Sequence, residues 1–469
     1  MASPISRRTV LTAGAAAVAG LSLPGTTGVA AAHANEGRTT PRVRFTLNAE
    51  VLDGGEQVTS VTLRTARLGP VDPDGLSTGT FGVHARATSP LPVAEGDAVF
   101  GEYDLDRTVT AARLDRHGDI VLELEHGEGR TGGGTLGYIA GRGRNVVLDL
   151  ACTLTQHTPI TLRGHRQITI EDFVQDARLS DPEVDAFGSH VSRSGMKYRL
   201  YTPTRSHGSG QGRRPLIVWL HGGGEGGSLP DYYDNETTLR ANRGALGFAA
   251  PEAQRVFGGA YVLAPQSTSA WMQDGPRFAP QIREIIDDVM REHRVDPARV
   301  YVAGCSNGGY MSMKMTTVYP DLFAASVPIC GVVAPLQPGG APLIPDGELA
   351  RITTPSWLVT SLDDTTVDPR ANTVHAHDLI PGSLMTLYDD VVWNGHRFAG
   401  HWSWIYVGRT TPASTAHISG SGWRRSTAPP ADDRTGAGLA APAQHQSELL
   451  RSSGVSLITD PPIIEHSHR

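Results

Sequence analysis

Apolar and polar residues keep one rhythm over the first half of this chain and another over the second. From residue 40 to about residue 190 they alternate. Arg42-Val43-Arg44-Phe45-Thr46-Leu47 and Val58-Thr59-Ser60-Val61-Thr62-Leu63 put every second side chain on one face, and 120–124, 146–150 and 160–162 continue the series. A period of two belongs to a half-buried strand. Clusters such as Gly69-Pro70-Val71-Asp72-Pro73-Asp74-Gly75 and Gly132-Gly133-Gly134 supply the turns between them. Several short strands parted by turns predict an all-β region, of the kind that packs as a sandwich.

After about Met196 the runs become apolar at nearly every position. Lys197-Tyr198-Arg199-Leu200-Tyr201 still alternates, but Pro215-Leu216-Ile217-Val218-Trp219-Leu220, Tyr261-Val262-Leu263-Ala264 and Val300-Tyr301-Val302-Ala303 do not, nor do the runs at 325–329 and 357–360. Continuous apolar runs suit strands covered on both faces. Between them, Ile282, Ile285, Ile286, Val289 and Met290 recur at helical spacing. Asp296-Pro297 reads as the turn before the next strand. Strands alternating with helices predict an α/β domain with a mostly parallel sheet over 196–408.

The two ends read differently. Arg7-Arg8 precedes a weakly apolar run to Leu21, and Ala32-His33-Ala34 offers a small-x-small cleavage site. Residues 1–34 are therefore expected to be an export signal of twin-arginine type, which makes the export machinery a partner of the precursor and the mature protein secreted. From 411 to 469 the chain is rich in Ser, Thr, Ala, Pro and Gly with no period that buries a face, so a disordered tail is expected, with His466 and His468 in it.

Composition narrows the partners. A formal net charge of -7 and a pI near 6.2 leave no basic footprint for nucleic acid. Three cysteines (Cys152, Cys305, Cys330) are too few for a disulfide scaffold. Buried free thiols are the simpler reading, with a Cys305–Cys330 bond as the alternative. No metal-ligand spacing and no phosphate-binding loop is visible, so neither a metal nor another cofactor is expected.

The chemistry concentrates at Gly304-Cys305-Ser306-Asn307-Gly308, behind an apolar strand and ahead of a helix. Gly-x-Ser-x-Gly in that setting mounts a serine on a sharp strand-to-helix turn. A nucleophilic Ser306 needs a base, an acid to orient the base, and donors for an oxyanion. The glycines after His221 can turn backbone N–H groups toward a substrate, so Gly222, Gly223 and Asn307 are the expected donors. His221 is read as a brace for that loop, and Glu225 and Trp271 as rim residues of the substrate site. The acid is expected just beyond the strand at 357–360, at Asp364, with Asp363 as competitor and Asp368 capping the following turn. The base is expected at His401, which leads the pair Trp402 and Trp404, with His396 as the other choice.

These motifs carry a resemblance. His221-Gly222-Gly223-Gly224, the block from Arg299 to Met311, Tyr319-Pro320-Asp321-Leu322-Phe323 and Gly400-His401 resemble the extracellular esterase family that includes polyhydroxybutyrate depolymerase-like and feruloyl-esterase-like α/β-hydrolases. The family's acid falls on Asp364, in an Asp-x-x-Val turn with Val367. The arrangement over 40–190 and 196–408 is similar to two-domain bacterial esterases with an immunoglobulin-like domain in front. The resemblance implies an α/β-hydrolase fold preceded by an all-β immunoglobulin-like sandwich domain, and a Ser-Asp-His hydrolase of small-molecule or polymer-derived esters. The family usually continues past its histidine into a final Trp-containing helix, and the sequence after Arg409 does not continue one. The rival readings are a serine peptidase of prolyl-oligopeptidase type, a polyester depolymerase and, from another class, a polysaccharide- or cell-wall-binding protein.

Overall fold

A central sheet is built from β1 (Phe187–Val191), β2 (Lys197–Tyr201), β3 (Arg214–Leu220), β4 (Tyr261–Gln266), β5 (Val295–Cys305), β6 (Ala325–Ile329), β7 (Trp357–Ser361) and β8 (Leu384–Tyr388). In this computed structural model, which describes residues 41–204 and 212–410, their order is β1-β2-β4-β3-β5-β6-β7-β8. β2 pairs antiparallel with β1 and β4, and every later neighbour pair is parallel. Residues 1–40 and 411–469, with the expected export signal, His466 and His468, lie outside the described residues.

Burial explains the continuous apolar runs. Leu216, Val218 and Leu220 of β3 join one core with Ile282, Ile285, Ile286 and Val289 of helix α2 (Gly275–Glu292) and with Met311 and Met315 of α3 (Asn307–Val318). Ile217 and Trp219, pointing the other way, join a second core with Leu246 and Phe248 of α1 (Gly244–Ala249) and Val407 of α4 (Trp404–Thr410). One strand thus feeds both faces with period two, and helices seal each face. A mixed sheet flanked by helices is consistent with an α/β-hydrolase fold.

The first half is β-rich, as expected. Strands Asp172–Gln175, Arg42–Leu52, Gly55–Leu63, Ile120–Leu124 and Val109–Leu114 form one sheet, and Asp149–Gln156, Phe81–Thr88 and Tyr103–Arg107 another. Phe45, Leu63, Leu122, Phe81, Val83 and Leu154 fill the core they share. A separate immunoglobulin-like sandwich domain, however, is not evident. The described residues fall within one compact unit, and Val51 at the end of the first strand is packed into the second core of the large sheet. Polar links join the two halves as well. Asn145 N–H donates to the Gly224 carbonyl at 2.8 Å, and Arg409 pairs with Asp53 at 2.8 Å. Phe187–Val191, counted above as the end of the β region, is an edge strand of the large sheet. Among the described residues no helix is long and apolar enough to cross a membrane.

Candidate active site

Ser306 stands between β5 and α3 with φ 55° and ψ -115°, a backbone conformation that a residue with a side chain rarely adopts. The surroundings hold it there. A Cβ on Gly304 would lie 2.5 Å from the Gly308 carbonyl oxygen, and one on Gly308 would lie 1.9 Å from that of Leu220. Only glycine lets the end of β3, the elbow and the first turn of α3 come this close. Ser306 N–H donates to the Ile329 carbonyl at 2.8 Å, which ties the elbow to β6. Asn307 opens α3, so its own N–H has no intrahelical partner.

The glycine loop follows β3. His221 is fully buried and bonded on both nitrogens. Ser267 N–H donates to Nε2 at 3.1 Å, which leaves the proton on Nδ1 to donate to the Gly222 carbonyl at 2.8 Å. Burial lowers its pKa to about 4, so it braces the loop as a neutral ring. Trp271, expected at the rim, is fully buried instead. It stacks on His221 with ring centres 4.7 Å apart and donates Nε1–H to the His221 carbonyl at 3.1 Å. An indole so placed supports the loop from behind, out of reach of a substrate. Glu225 is also buried, but it lines the cavity. Its Oε1 lies against Gly222, where an added Cβ would sit 3.2 Å away.

Beyond β7, Asp364 Oδ2 accepts from His401 Nδ1 at 2.8 Å, while Oδ1 accepts from the Thr366 and Val367 N–H groups at 2.9 Å each. Asp363 turns away to Ser361 and Arg397, and Asp368 caps the next turn through Ala371 N–H at 2.7 Å. His396 sits in a separate hairpin, ring against Phe398. Trp404 meets the His401 ring edge-on at 5.7 Å and Trp402 stacks on Trp404, so the pair does fix the ring.

The other edge of His401 meets a residue that had no expected role. Cys330, just past the end of β6, lies beside the ring, and the ligand atoms of Cys330, Asp364 and His401 all lie within 4.8 Å of one another. A thiol, a carboxylate and an imidazole are a possible set of zinc ligands. Here both oxygens of Asp364 are already used, by His401 and by backbone N–H groups. Burial would push His401 toward its neutral form, but Cys330 and Asp364 override it and hold its pKa above the ordinary histidine range. All three cysteines are free thiols, so no Cys305–Cys330 bond is formed. Cys330 escaped the sequence reading because only the strand register brings it here: Cys305 pairs with Ile329.

Ser306 and His401 line one cavity of about 250 Å³, although no hydrogen bond joins them among the described residues. Its walls come from both halves of the chain. Gly223, Ser306, His401 and Trp402 face Asp53, Tyr103, Arg130 and Tyr138 of the β-rich region.

Comparison with known proteins agrees with this picture at the level of fold. Residues 268–341 match the prolyl oligopeptidase family. The poly(3-hydroxyalkanoate) depolymerase C of Paucimonas lemoignei is 32% identical over 130 residues, which is 25% of this chain and 28% of that protein. An acetylxylan esterase of Coprinopsis cinerea is 26% identical over 163 residues, 35% of this chain and 41% of that one. The chain thus spans less than half the length of these relatives. A crystal structure of a thermostable esterase superposes with a TM-score of 0.61 at 23% identity, covering 79% of this chain and 97% of that one. These likenesses mark distant homology to α/β-hydrolase esterases and depolymerases, and a shared fold.

Proposed function

We propose that this protein is a serine carboxylic-ester hydrolase acting on short acyl esters. One observation carries the reading. A serine in a strained strand-to-helix turn opens onto the same cavity as a histidine already bonded to a buried aspartate. In the proposed reaction His401 swings from Cys330 toward Ser306 and takes its proton as the hydroxyl attacks the ester carbonyl. The Gly222, Gly223 and Asn307 amides receive the oxyanion. The alcohol leaves with a proton from His401, and water activated by the same ring then releases the acid. Asp364 holds the proton on Nδ1 and stabilises the imidazolium. The Arg7-Arg8 segment supports an exported precursor and action outside the cell.

Two observations favour variants of this reading. His401 lies beside Cys330 in the resting state, which would make Cys330 the nucleophile. Against that, Cys330 is fully buried and Ser306 faces the cavity. The match to the prolyl oligopeptidase family covers the elbow and would favour amide substrates. The test is one panel of acetyl to long-chain esters, feruloyl and polymeric esters, and a peptide amide, with wild type, Ser306→Ala and Cys330→Ala. Loss of ester hydrolysis by at least about a thousandfold in Ser306→Ala alone is expected. Loss in Cys330→Ala alone would transfer the role to the thiol, and cleavage of the amide only would replace the substrate class.

A further inference from the structure

Glu225, expected at the rim of the substrate site, is a buried acid beside the glycine loop. Its Oε1 accepts from Asn242 Nδ2 at 3.1 Å. The Asn242 amide cannot turn over, because its Oδ1 accepts from Gly244 N–H at 2.8 Å at the start of α1. Gly222 lies against the same oxygen, an added Cβ there falling 3.2 Å from it, whereas Oε2 is buried with no partner at all. No cation pairs with Glu225 among the described residues. An ionised carboxylate cut off from water, with one oxygen empty and no cation, costs several kcal/mol, so the group keeps its proton instead.

Resting on the serine-hydrolase reading above, we propose that Glu225 is a positioning residue. As a neutral acid it holds Gly222 so that the Gly223 amide faces the cavity, and when ionised it sets a negative charge beside the forming oxyanion and switches the site off. The proton leaves to solvent, and no other bond changes. Burial raises the Glu225 pKa to about 8, against the opposing influence of Gly222 and Asn242, which puts the switch at mildly alkaline pH.

The groups packed around Glu225 do not supply the same switch. His221 on the loop is neutral down to about pH 4. The Cys305 thiol of β5 is pushed well above its ordinary value by burial, and further by Glu225 itself. Asn242, and Gln266, which donates to the Glu225 carbonyl at 3.0 Å, carry no charge. Arg144, bonded to the Gly226 carbonyl, and Asp234, bonded to Gln266, stand one residue further out. His401 titrates across the cavity, but it does so in wild type and variant alike.

The experiment compares pH profiles of short-ester hydrolysis for the full chain and Glu225→Gln, an amide of the same shape that cannot ionise. The ratio of wild-type to variant kcat cancels every shared titration. Expected are rates within about twofold below pH 7 and a wild-type rate roughly tenfold or more lower relative to the variant by pH 9.5. Glu225→Ala should lose kcat with KM little changed. A flat ratio through pH 9.5, or Glu225→Gln as impaired as Glu225→Ala, would overturn the proposal. Asn242→Ser gives a second route. Serine can still accept from Gly244 N–H but does not reach Glu225, and losing a bond that favours the ionised form should move the alkaline fall in the variant's own profile to higher pH. If Ser306→Ala keeps its activity, the nucleophile assignment fails. If Ser306→Ala is inactive and the ratio is flat, only the role of Glu225 fails.

Discussion

His401 is gripped from two sides, and the two grips have opposite value for a base. Asp364 fixes the proton on Nδ1, which leaves Nε2 to act. Cys330 lies beside the ring and, with Asp364, favours its protonated form, which in the proposed reaction could not accept the Ser306 proton. Activity should therefore fail on the acid side at a higher pH than an ordinary histidine would give. Removing the sulfur lowers the His401 pKa, so Cys330→Ala should move the acid limb of kcat/KM to lower pH, by about one unit. An unmoved limb would show that the thiol does not hold the ring in solution. Residues of this kind divide by how local their cause is. Ser306 is legible because a strained turn demands glycine at fixed offsets, and Asp364 because Val367 marks its turn. Cys330 and Glu225 acquire their roles from a strand register and a folded loop that join distant positions, and Trp271 looks like a rim aromatic until Phe278 and His221 are seen to enclose it.

Among the elements, the elbow is the most tightly built. Gly308 lies where a Cβ would be 1.9 Å from the Leu220 carbonyl oxygen and 2.6 Å from that of His221. Both are backbone atoms of the strand end that carries the glycine loop, so no flexible side chain can give way. Gly308→Ala should cost roughly 2 kcal/mol or more in thermal unfolding and depress kcat by pushing the loop from the elbow. Gly212→Ala, with nothing within 4 Å of its new Cβ, is the control and should leave both unchanged. Equal melting of the two variants would mean that the elbow relaxes freely. Strands of the large sheet were legible because burial on both faces leaves an unbroken apolar run. Their ends were less so. β5 begins at Val295, which puts Asp296-Pro297 inside a strand at a register shift, where the missing N–H of proline is tolerated. The last helix among the described residues was also missed: α4 starts three residues after His401 and is only seven residues long, too short for helical periodicity to register.

At the scale of the molecule, a buried acid joins the β-rich half to the short helix Thr237–Arg240 that follows the glycine loop. Glu56, at the start of the strand Gly55–Leu63, reaches Arg240 at 3.1 Å, with its own side chain fully buried. It also shares a hydrogen bond with Asp181, just ahead of β1. Burial is the largest influence and raises the Glu56 pKa to about 7, with Arg240 and Thr135 opposing and Asp181 reinforcing. Alternation could place this strand, but not foresee that its second residue would be sealed against Arg240 of the other half, a contact that helps to keep a separate sandwich from standing apart. The consequence for stability has a definite sign. A carboxyl whose folded pKa exceeds its unfolded value of 4.5 binds its proton more tightly when folded. Its contribution is therefore greatest below pH 4.5 and declines as the pH rises through about 7, by an amount on the order of 3 kcal/mol. Glu56→Gln stays neutral throughout and lacks this slope. Urea unfolding of both proteins from pH 4.5 to 7.5 should show wild type losing stability relative to the variant across that window. Parallel curves would mean that the folded protein leaves the Glu56 pKa at its ordinary value, and that the junction between the two halves is held by the Arg240 ion pair instead of a neutral acid.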